Sequence, residues 1–399
     1  MQKPKVIRTS TIAFSLNVLL KGQLSFLKKF YNVIAVAGDD EDLRVVENRE
    51  GVKTQNITMQ RQITPFKDFI SLIKLYFYFK KEKPQIVHSI TPKAGLLSMV
   101  AAYLAHVPIR IHTFTGLTFP TRSGEMQRLL VFMDKLLCSC ATNIYPEGEG
   151  VKNDLINYNI TNKPLKVLAN GNINGVDFNY FDPNLFSVGD NTRLKKELNI
   201  QSSDFVFVFV GRIVGDKGMN ELVAAFEKLS SKNKNVKLLL VGAFEEKLDP
   251  LKEKTTLIIK HNKQIISVGY QNDVRPYYAI ANVLVFPSYR EGFPNVVMQA
   301  GAMGLPSIVT DINGCNEIIE EQKNGMIIPV KSVTPLYNAM VVMIEDKQMR
   351  LNARDMIINR FDQKVVWEAL LNEYNYLINK NDKKRSCINW LFRPFLWLY

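Results

Sequence analysis

The stretch from Ala281 to Ile319, ANVLVFPSYREGFPNVVMQAGAMGLPSIVTDINGCNEII, restricts the fold more than any other part of the chain. Val283 to Phe286 is a β-branched and aromatic run without a polar face, the composition of a strand covered on both sides in a parallel sheet. The polar loop Pro287 to Pro294 follows. From Asn295 to Met303 the apolar residues Val296, Val297, Met298, Ala300, Ala302 and Met303 go nearly all round a helix, Gly304 and Pro306 stop it, and Ser307 to Thr310 returns as strand. Glu291 then lies just beyond the carboxyl end of a strand and before a helix N-terminus, where open α/β sheets bind ligands and backbone N–H groups favour anions. A carboxylate there repels a phosphate unless it is aimed at something else, such as the hydroxyls of a sugar attached to that phosphate.

The same alternation runs through the chain. In the first half the strand candidates are Lys5 to Thr9, Val33 to Ala37, Asn56 to Met59, Gln85 to Ile90, Ile109 to Phe114, Thr142 to Tyr145 and Leu165 to Leu168, with helices at Phe66 to Lys80 and Ala94 to Ala105. From Asn170 to Gln201 the pattern breaks into GNINGVDFNYFDPNLF and a short charged helix candidate, a domain boundary. It restarts with strands at Phe205 to Val210, Val236 to Val241 and Ile265 to Val268 and a helix at Met219 to Leu229. Two α/β domains are expected, over 1–175 and 200–365, with a C-terminal helix and tail over 366–399. With 399 residues, 46% of them apolar, the chain is long enough for two cores.

The net charge of +13 suits nucleic acid, a membrane surface or an anionic substrate. The basic residues are scattered and no recognition module is present, which argues against nucleic acid. Cys138, Cys140, Cys315 and Cys387 have neither zinc-ligand spacing nor the density of a disulfide framework, which fits a reducing cytosol. The run Thr11 to Leu20 is interrupted by Ser15 and Asn17 and lacks a cleavage site, so it is not read as a signal peptide, and no segment reaches the roughly 18 apolar residues of a membrane span. The end of the chain, KNDKKRSCINWLFRPFLWLY, is basic and then aromatic, an interfacial membrane composition; docking across the two domains is the alternative.

Strand Phe205 to Val210 ends in Gly211-Arg212, and its loop continues to Asp216-Lys217-Gly218. Two cations on one strand-end loop suit a diphosphate: Arg212 bonds two oxygens at once, Lys217 acts as a point charge, and glycines admit close backbone approach. The spacing is neither a Walker loop nor GxGxxG, and a solvated basic turn is the alternative. The pair FVGRIVGDKG and EGFPNVVMQAGAMGLPSIVTDINGCNEII resembles the donor site of glycosyltransferase family 4, strongly over about Phe205 to Ile328 and more weakly over the first half. The resemblance implies the GT-B fold, two Rossmann-like domains facing each other across a cleft, and a retaining reaction on a nucleotide sugar, with a uridine nucleotide expected. By match, Gly211, Arg212 and Lys217 hold the diphosphate, Glu291 lies at the transferred sugar, and Gly292, Phe293, Pro294 and Asn295 supply amides near sugar and phosphate. Gly269 and Tyr270 match the segment that meets the base, and Gly314 and Glu317 the turn that closes the site. Where the family usually has a second Glu on the ribose, this chain has Gln299, whose uncharged amide makes a weaker contact.

The acceptor side departs further from the family. In place of a Gly-Gly loop after the first strand stand Ser10, Thr11 and Ser15, whose hydroxyls suit a phosphate or sugar. Thr115, before Gly116, occupies the place of the family histidine, with His112 three residues earlier; His88 and Lys93 are further candidates, Lys93 as a cation for an acceptor phosphate. The four histidines form no ligand spacing, and neither a metal nor another cofactor is expected, since Arg212 and Lys217 supply the positive charge a divalent ion would bring. The chain reads as a bacterial glycosyltransferase of capsule or surface polysaccharide synthesis, peripheral to the inner face of the cell membrane and acting on a lipid-linked saccharide. A nucleotide-sugar epimerase on the same fold, or a non-catalytic sugar-nucleotide or membrane-binding protein, are the alternatives.

Overall fold

The computed structural model describes residues 3–38, 41–60, 62–245, 249–346 and 348–391, without the side chains of 384–391. The chain divides into two units, residues 1–174 with 363–399 and residues 175–362. Each holds one six-stranded parallel sheet.

In the first unit the strands are β1 (Lys5–Thr9), β2 (Asn32–Ala37), β3 (Lys53–Asn56), β4 (Ile86–Ile90), β5 (Ile109–Phe114) and β6 (Asn143–Pro146), in the order β3-β2-β1-β4-β5-β6. In the second they are β7 (Phe205–Val210), β8 (Val236–Val241), β9 (Ile265–Gly269), β10 (Val283–Phe286), β11 (Ser307–Thr310) and β12 (Gly325–Ile328), in the order β12-β11-β10-β7-β8-β9. Each sheet starts in its middle, grows to one edge and resumes on the other side of the starting strand. The order therefore reverses between β1 and β4 and between β7 and β10, and the loops after those strands are the positions at which such sheets take ligands. Strands β4, β10 and β11 are buried along their whole length, as the unbroken apolar run of β10 requires, while β4 buries His88 and Ser89 and β11 buries Ser307 and Thr310.

Two strand expectations differ from the structure. β3 covers Lys53–Asn56, not Asn56 to Met59: its ladder ends with Ala37 of β2, and the apolar Ile57 and Met59 are buried beyond that end, outside the sheet. Leu165 to Leu168 makes a single bridge, Leu165 to Ile144, and no strand. The Asn- and Gly-rich stretch expected to separate the domains belongs from Gly175 onward to the second unit, where Phe178, Phe181, Phe186, Leu194 and Leu198 pack on its core. The aromatic run Asn389 to Tyr399 lies outside the described residues but for the backbone of 389–391.

The last helix, Gln363–Leu391, packs into the first unit rather than standing apart. Leu370, Tyr374 and Leu377 join the core on one face of its sheet. Tyr374 reaches under β1 and β4. The fully buried Arg8 donates to its hydroxyl at 2.8 Å, and that hydroxyl lies 2.6 Å from His88 Nδ1, which Arg8 also approaches at 2.8 Å. With two donors aimed at Nδ1, the imidazole carries its proton on Nε2 and donates it to Thr113 Oγ1 at 2.8 Å. Burial first, then the charge of Arg8, hold His88 well below the usual histidine range. His112, buried one strand away with Nδ1 2.8 Å from Ser89 Oγ, is pushed by burial down to about 3.

Both histidines are neutral in the folded chain and gain protons on unfolding. A folded pKa below the unfolded value means that their contribution is complete above about pH 6.5 and lost progressively as pH falls below it, up to about 2 kcal/mol each at pH 5. Thermal midpoints measured from pH 7.5 to 5 should fall for the wild type; His88→Gln should lower the midpoint at pH 7.5 and flatten that slope. A variant with the wild-type slope would show that His88 is not one of the groups responsible.

Candidate functional site

Loop 211–218 after β7 and loop 287–294 after β10 meet at the second unit's reversal point because the two strands are hydrogen-bonded neighbours. Their contact is backbone to backbone. Tyr289 N donates to Asp216 O at 2.9 Å, and Gly218, at φ 70°, sits where a Cβ would come within 2.0 Å of the carbonyl oxygen of Pro287. Gly314, at φ 74°, presses against the second loop from the far side, where a Cβ would meet Gly292 O at 2.4 Å. Its N–H donates to Glu317 at 3.2 Å, so Gly314 and Glu317 form a helix cap that also backs the loop.

Lys217 and Glu291, read from the two separate loops, are ion-paired, with side chains 15% and 17% exposed. Ser288 donates to the same carboxylate oxygen, Oε1, at 2.8 Å, and the Lys217 ammonium lies 5.7 Å from the centre of the Phe286 ring. Oε2 has no protein partner among the described residues. The carboxylate is thus held by one oxygen and offers the other, while two of the three ammonium N–H groups are left over. Below them the buried Cys315 thiol is pushed well above its ordinary range, by burial first and then by the charge of Glu291, and stays protonated.

Arg212 pairs with Glu245 at 2.9 Å, its side chain 47% exposed. Such a pair is worth about 0–1 kcal/mol, so an anion takes the guanidinium from it at little cost. Gly292 and Pro294 are buried, and Phe293 stacks edge-on with Phe361 at 5.5 Å, so its side chain belongs to the core and only backbone faces the loop surface. Asn295 opens the eight-residue helix Asn295–Ala302, and Gln299 is half-buried on it, its amide without a partner among the described residues. Gly269, at φ 71°, ends β9 and accepts from Gly242 N at 2.8 Å; Tyr270 beside it is exposed. Sequence reading overlooked Ser288, although it lies three residues before Glu291, and Glu245, which no motif marks.

In the first unit the loops after β1 and β4 rim a cavity of 640 Å³. Thr11 and Ser15 line it. Thr11 Oγ1 is 2.8 Å from Thr91 Oγ1 and accepts from Ala94 N, which fastens the two loops together. Ser10 does not reach the cavity; its hydroxyl is buried. Lys93 lines it but is no free cation, because Asp68 holds its ammonium at 2.8 Å. His88 and His112 do not line the cavity either: both are buried in the sheet, His88 bonded through both ring nitrogens and His112 through Nδ1 to Ser89. Thr115 and Gly116 are half-buried beyond β5, in the loop that leads to Thr118 on the cavity wall. Arg122 and Asp134 line the cavity and were not expected. Burial among apolar neighbours pushes the Asp134 carboxyl up to about 7, a position no spacing rule announces. Among the described residues no three His, Cys, Asp or Glu side chains gather as metal ligands.

Comparison with known proteins follows the same division of the chain. Residues 190–360 match the family model of glycosyl transferases group 1, and residues 12–147 that of glycosyl transferase 4-like domains. The chain is 33% identical over 391 residues to the capsular polysaccharide biosynthesis glycosyltransferase CapM of Staphylococcus aureus, covering 96% of this chain and all of that one. It is 30% identical over 311 residues, 76% of this chain and 79% of the other, to an Escherichia coli UDP-Gal:α-D-GlcNAc-diphosphoundecaprenol α-1,3-galactosyltransferase. Among solved structures, Anabaena HepE in complex with UDP superposes with a TM-score of 0.77 at 17% identity, over 94% of this chain and all of that one.

The two positive-φ glycines of the site separate clash from conformational strain. Gly218→Ala should lower stability by at least about 2 kcal/mol, because strain adds to a backbone clash. Gly269→Ala, with nothing within 4 Å of its Cβ, should cost only about 1 kcal/mol. Denaturant titration of the two variants checks this, and equal losses would mean that the contact of Gly218 with Pro287 is immaterial.

Proposed function

This chain belongs to the group 1 glycosyl transferases and has their GT-B fold of two Rossmann-like units, and we propose that it transfers a hexosyl group, with retention of configuration, from a uridine diphosphate sugar to a lipid-linked saccharide in surface polysaccharide assembly. The observation that carries the donor side is the half-satisfied carboxylate of Glu291. Its Oε1 is occupied by Lys217 and Ser288, and its Oε2 is left for sugar hydroxyls.

Lys217 removes the repulsion that a bare carboxylate would exert on the diphosphate, and its remaining N–H groups, with the fork of Arg212, meet the phosphate oxygens. As the bond from the anomeric carbon to the diphosphate breaks, charge grows on the departing group, and these two cations stabilise it without a divalent metal. Gln299 lies on the helix behind this point and accepts from a ribose hydroxyl. The names of the E. coli and S. aureus relatives support a lipid-diphosphate acceptor and a capsular product, and with them work at the inner face of the cell membrane. The basic and aromatic tail, Lys380 to Tyr399, adds a membrane contact in this reading.

Donor identity is read from thermal stabilisation across a panel of nucleotide sugars, since a binder raises the midpoint according to its concentration over Kd. With the donor known, Glu291→Gln should bind it as the wild type does while turnover falls about 10²-fold or more; turnover within threefold of wild type would sink the role of Glu291. Gln299→Glu should tighten nucleotide binding several-fold, as a charged acceptor roughly doubles the strength of a hydroxyl contact. Deleting Asn389 to Tyr399 should weaken binding to anionic vesicles in a salt-dependent way, and binding equal to wild type removes the tail from the account.

A further inference from the structure

The helix Pro65–Glu82 is apolar on two opposite faces. Leu75 and Phe79 are buried toward the sheet. Phe66, Phe69, Ile70, Ile73 and Phe77, spaced i, i+3, i+4, i+7 and i+11, form a second stripe on the far side and are exposed, Phe66, Phe69 and Phe77 by 77%, 59% and 64%. At about 100° per residue, the exposed Lys67, Lys74 and Lys81 fall along one border of this stripe, and the exposed Lys80 falls within it near the C-terminal end of the helix. The acidic Asp68 and Glu82 fall toward the core side, where Lys93 and Lys5 hold them at 2.8 and 2.6 Å. A single exposed phenylalanine means nothing; five apolar side chains in register, edged by cations, form a surface with an occupant.

A second helix repeats the pattern. On Gly124–Cys140 the side chains of Leu129, Phe132 and Leu136, at i, i+3 and i+7, are exposed, with Lys135 beside them, while Leu137 and Cys138 are buried in the same core as Leu75 and Phe79. Both helices pack against Pro92–Leu104. Since their inner residues share one core, their outward stripes lie on the same side of the sheet. The 640 Å³ cavity borders the same helices: Leu96 of Pro92–Leu104 and Met126, Leu130 and Met133 of Gly124–Cys140 line it, and Ile63 and Met126 of its lining are exposed.

We propose that this face of the first unit lies on an anionic lipid surface, with the phenylalanine and leucine side chains entering the acyl boundary and the lysines meeting the headgroups. This rests on the reading of a lipid-linked acceptor, which would then reach the cavity without leaving the bilayer. Charge decides between occupants: aromatic side chains edged by lysine are the composition of interfacial helices, whereas lysine is depleted from protein interfaces, and two copies meeting here would bring their lysines together on chains of net charge +13.

The full chain is sedimented with phosphatidylcholine vesicles and with vesicles containing phosphatidylglycerol, at low and high salt, and hydrolysis of the nucleotide sugar is measured alongside. The triple variant Phe69→Ser/Phe77→Ser/Phe132→Ser should partition at least about tenfold less onto phosphatidylglycerol vesicles while hydrolysing donor at the wild-type rate. Lys67→Glu/Lys74→Glu should lose binding mainly at low salt. Wild-type partitioning by the triple variant overturns the proposal, as does sedimentation equilibrium showing a wild-type dimer that the triple variant dissociates, with no vesicle binding by either. Because the donor is read separately, a chain that docks through this face but neither hydrolyses nor is thermally stabilised by any uridine diphosphate sugar supports the surface and sinks the donor reading.

Discussion

The ion pair of Lys217 with Glu291 is the contact on which the proposed donor site depends. A parallel sheet delivers a strand end and a helix N-terminus to its reversal point, and both attract anions. A carboxylate in that place would destroy the attraction unless a cation offsets it locally. Lys217 does so from the neighbouring loop, and the loops are held in contact by Gly218, which leaves room for Pro287. In the proposed donor site, phosphate binding and sugar orientation, opposite electrostatic demands, would thereby be met within one cluster.

The two cations differ in what it costs to recruit them. Arg212 stands half in solvent with Glu245, and exchanging one oxyanion for another there changes stability by at most about 1 kcal/mol. Lys217 is mostly buried, and separating it from Glu291 would leave a charge unpaired in a poor solvent, at about 3 kcal/mol or more. In the proposed donor site Lys217 would therefore keep its carboxylate when an anion arrives and use its spare N–H groups, whereas Arg212 would exchange Glu245 for the anion. The first would be a fixed part of the site and the second an adaptable one.

What could be read from the sequence was what is local. Strands β7 and β10 were legible to the residue because burial on both faces makes an unbroken apolar run, β1, β5 and β8 because β-branched and other apolar residues dominate them despite Arg8, His112 or Lys237, and the donor loops because they follow such strands directly. β3 was misplaced since an edge strand of Lys-Thr-Gln-Asn has no such run, while Ile57 and Met59 beyond it look more like strand than the strand does. His88 and His112 could not be assigned locally either. The partner that closes the His88 network is Tyr374, 286 residues away, and without it a histidine near a strand end looks available. The same distance hid the allegiance of the last helix, whose side chains read as a separate segment and pack as part of the first sheet's cover.

The acceptor side shows why the remainder stayed out of reach. Polar residues were sought there because sugars and phosphates are polar, and the polar residues found are mostly engaged: Lys93 with Asp68, Thr11 with Thr91, the histidines inside the sheet. The cavity wall is instead rich in Ile12, Ile63, Leu96, Met126, Leu130 and Met133. In a sequence such residues are indistinguishable from core, since helical periodicity reports an apolar face without reporting what covers it. Only the fold separates the stripe that meets the sheet from the stripe that does not. In the proposed reading, a substrate whose greater part is hydrocarbon would be recognised by such residues, so the acceptor site of an enzyme of this kind would be the part of the protein that most resembles its interior.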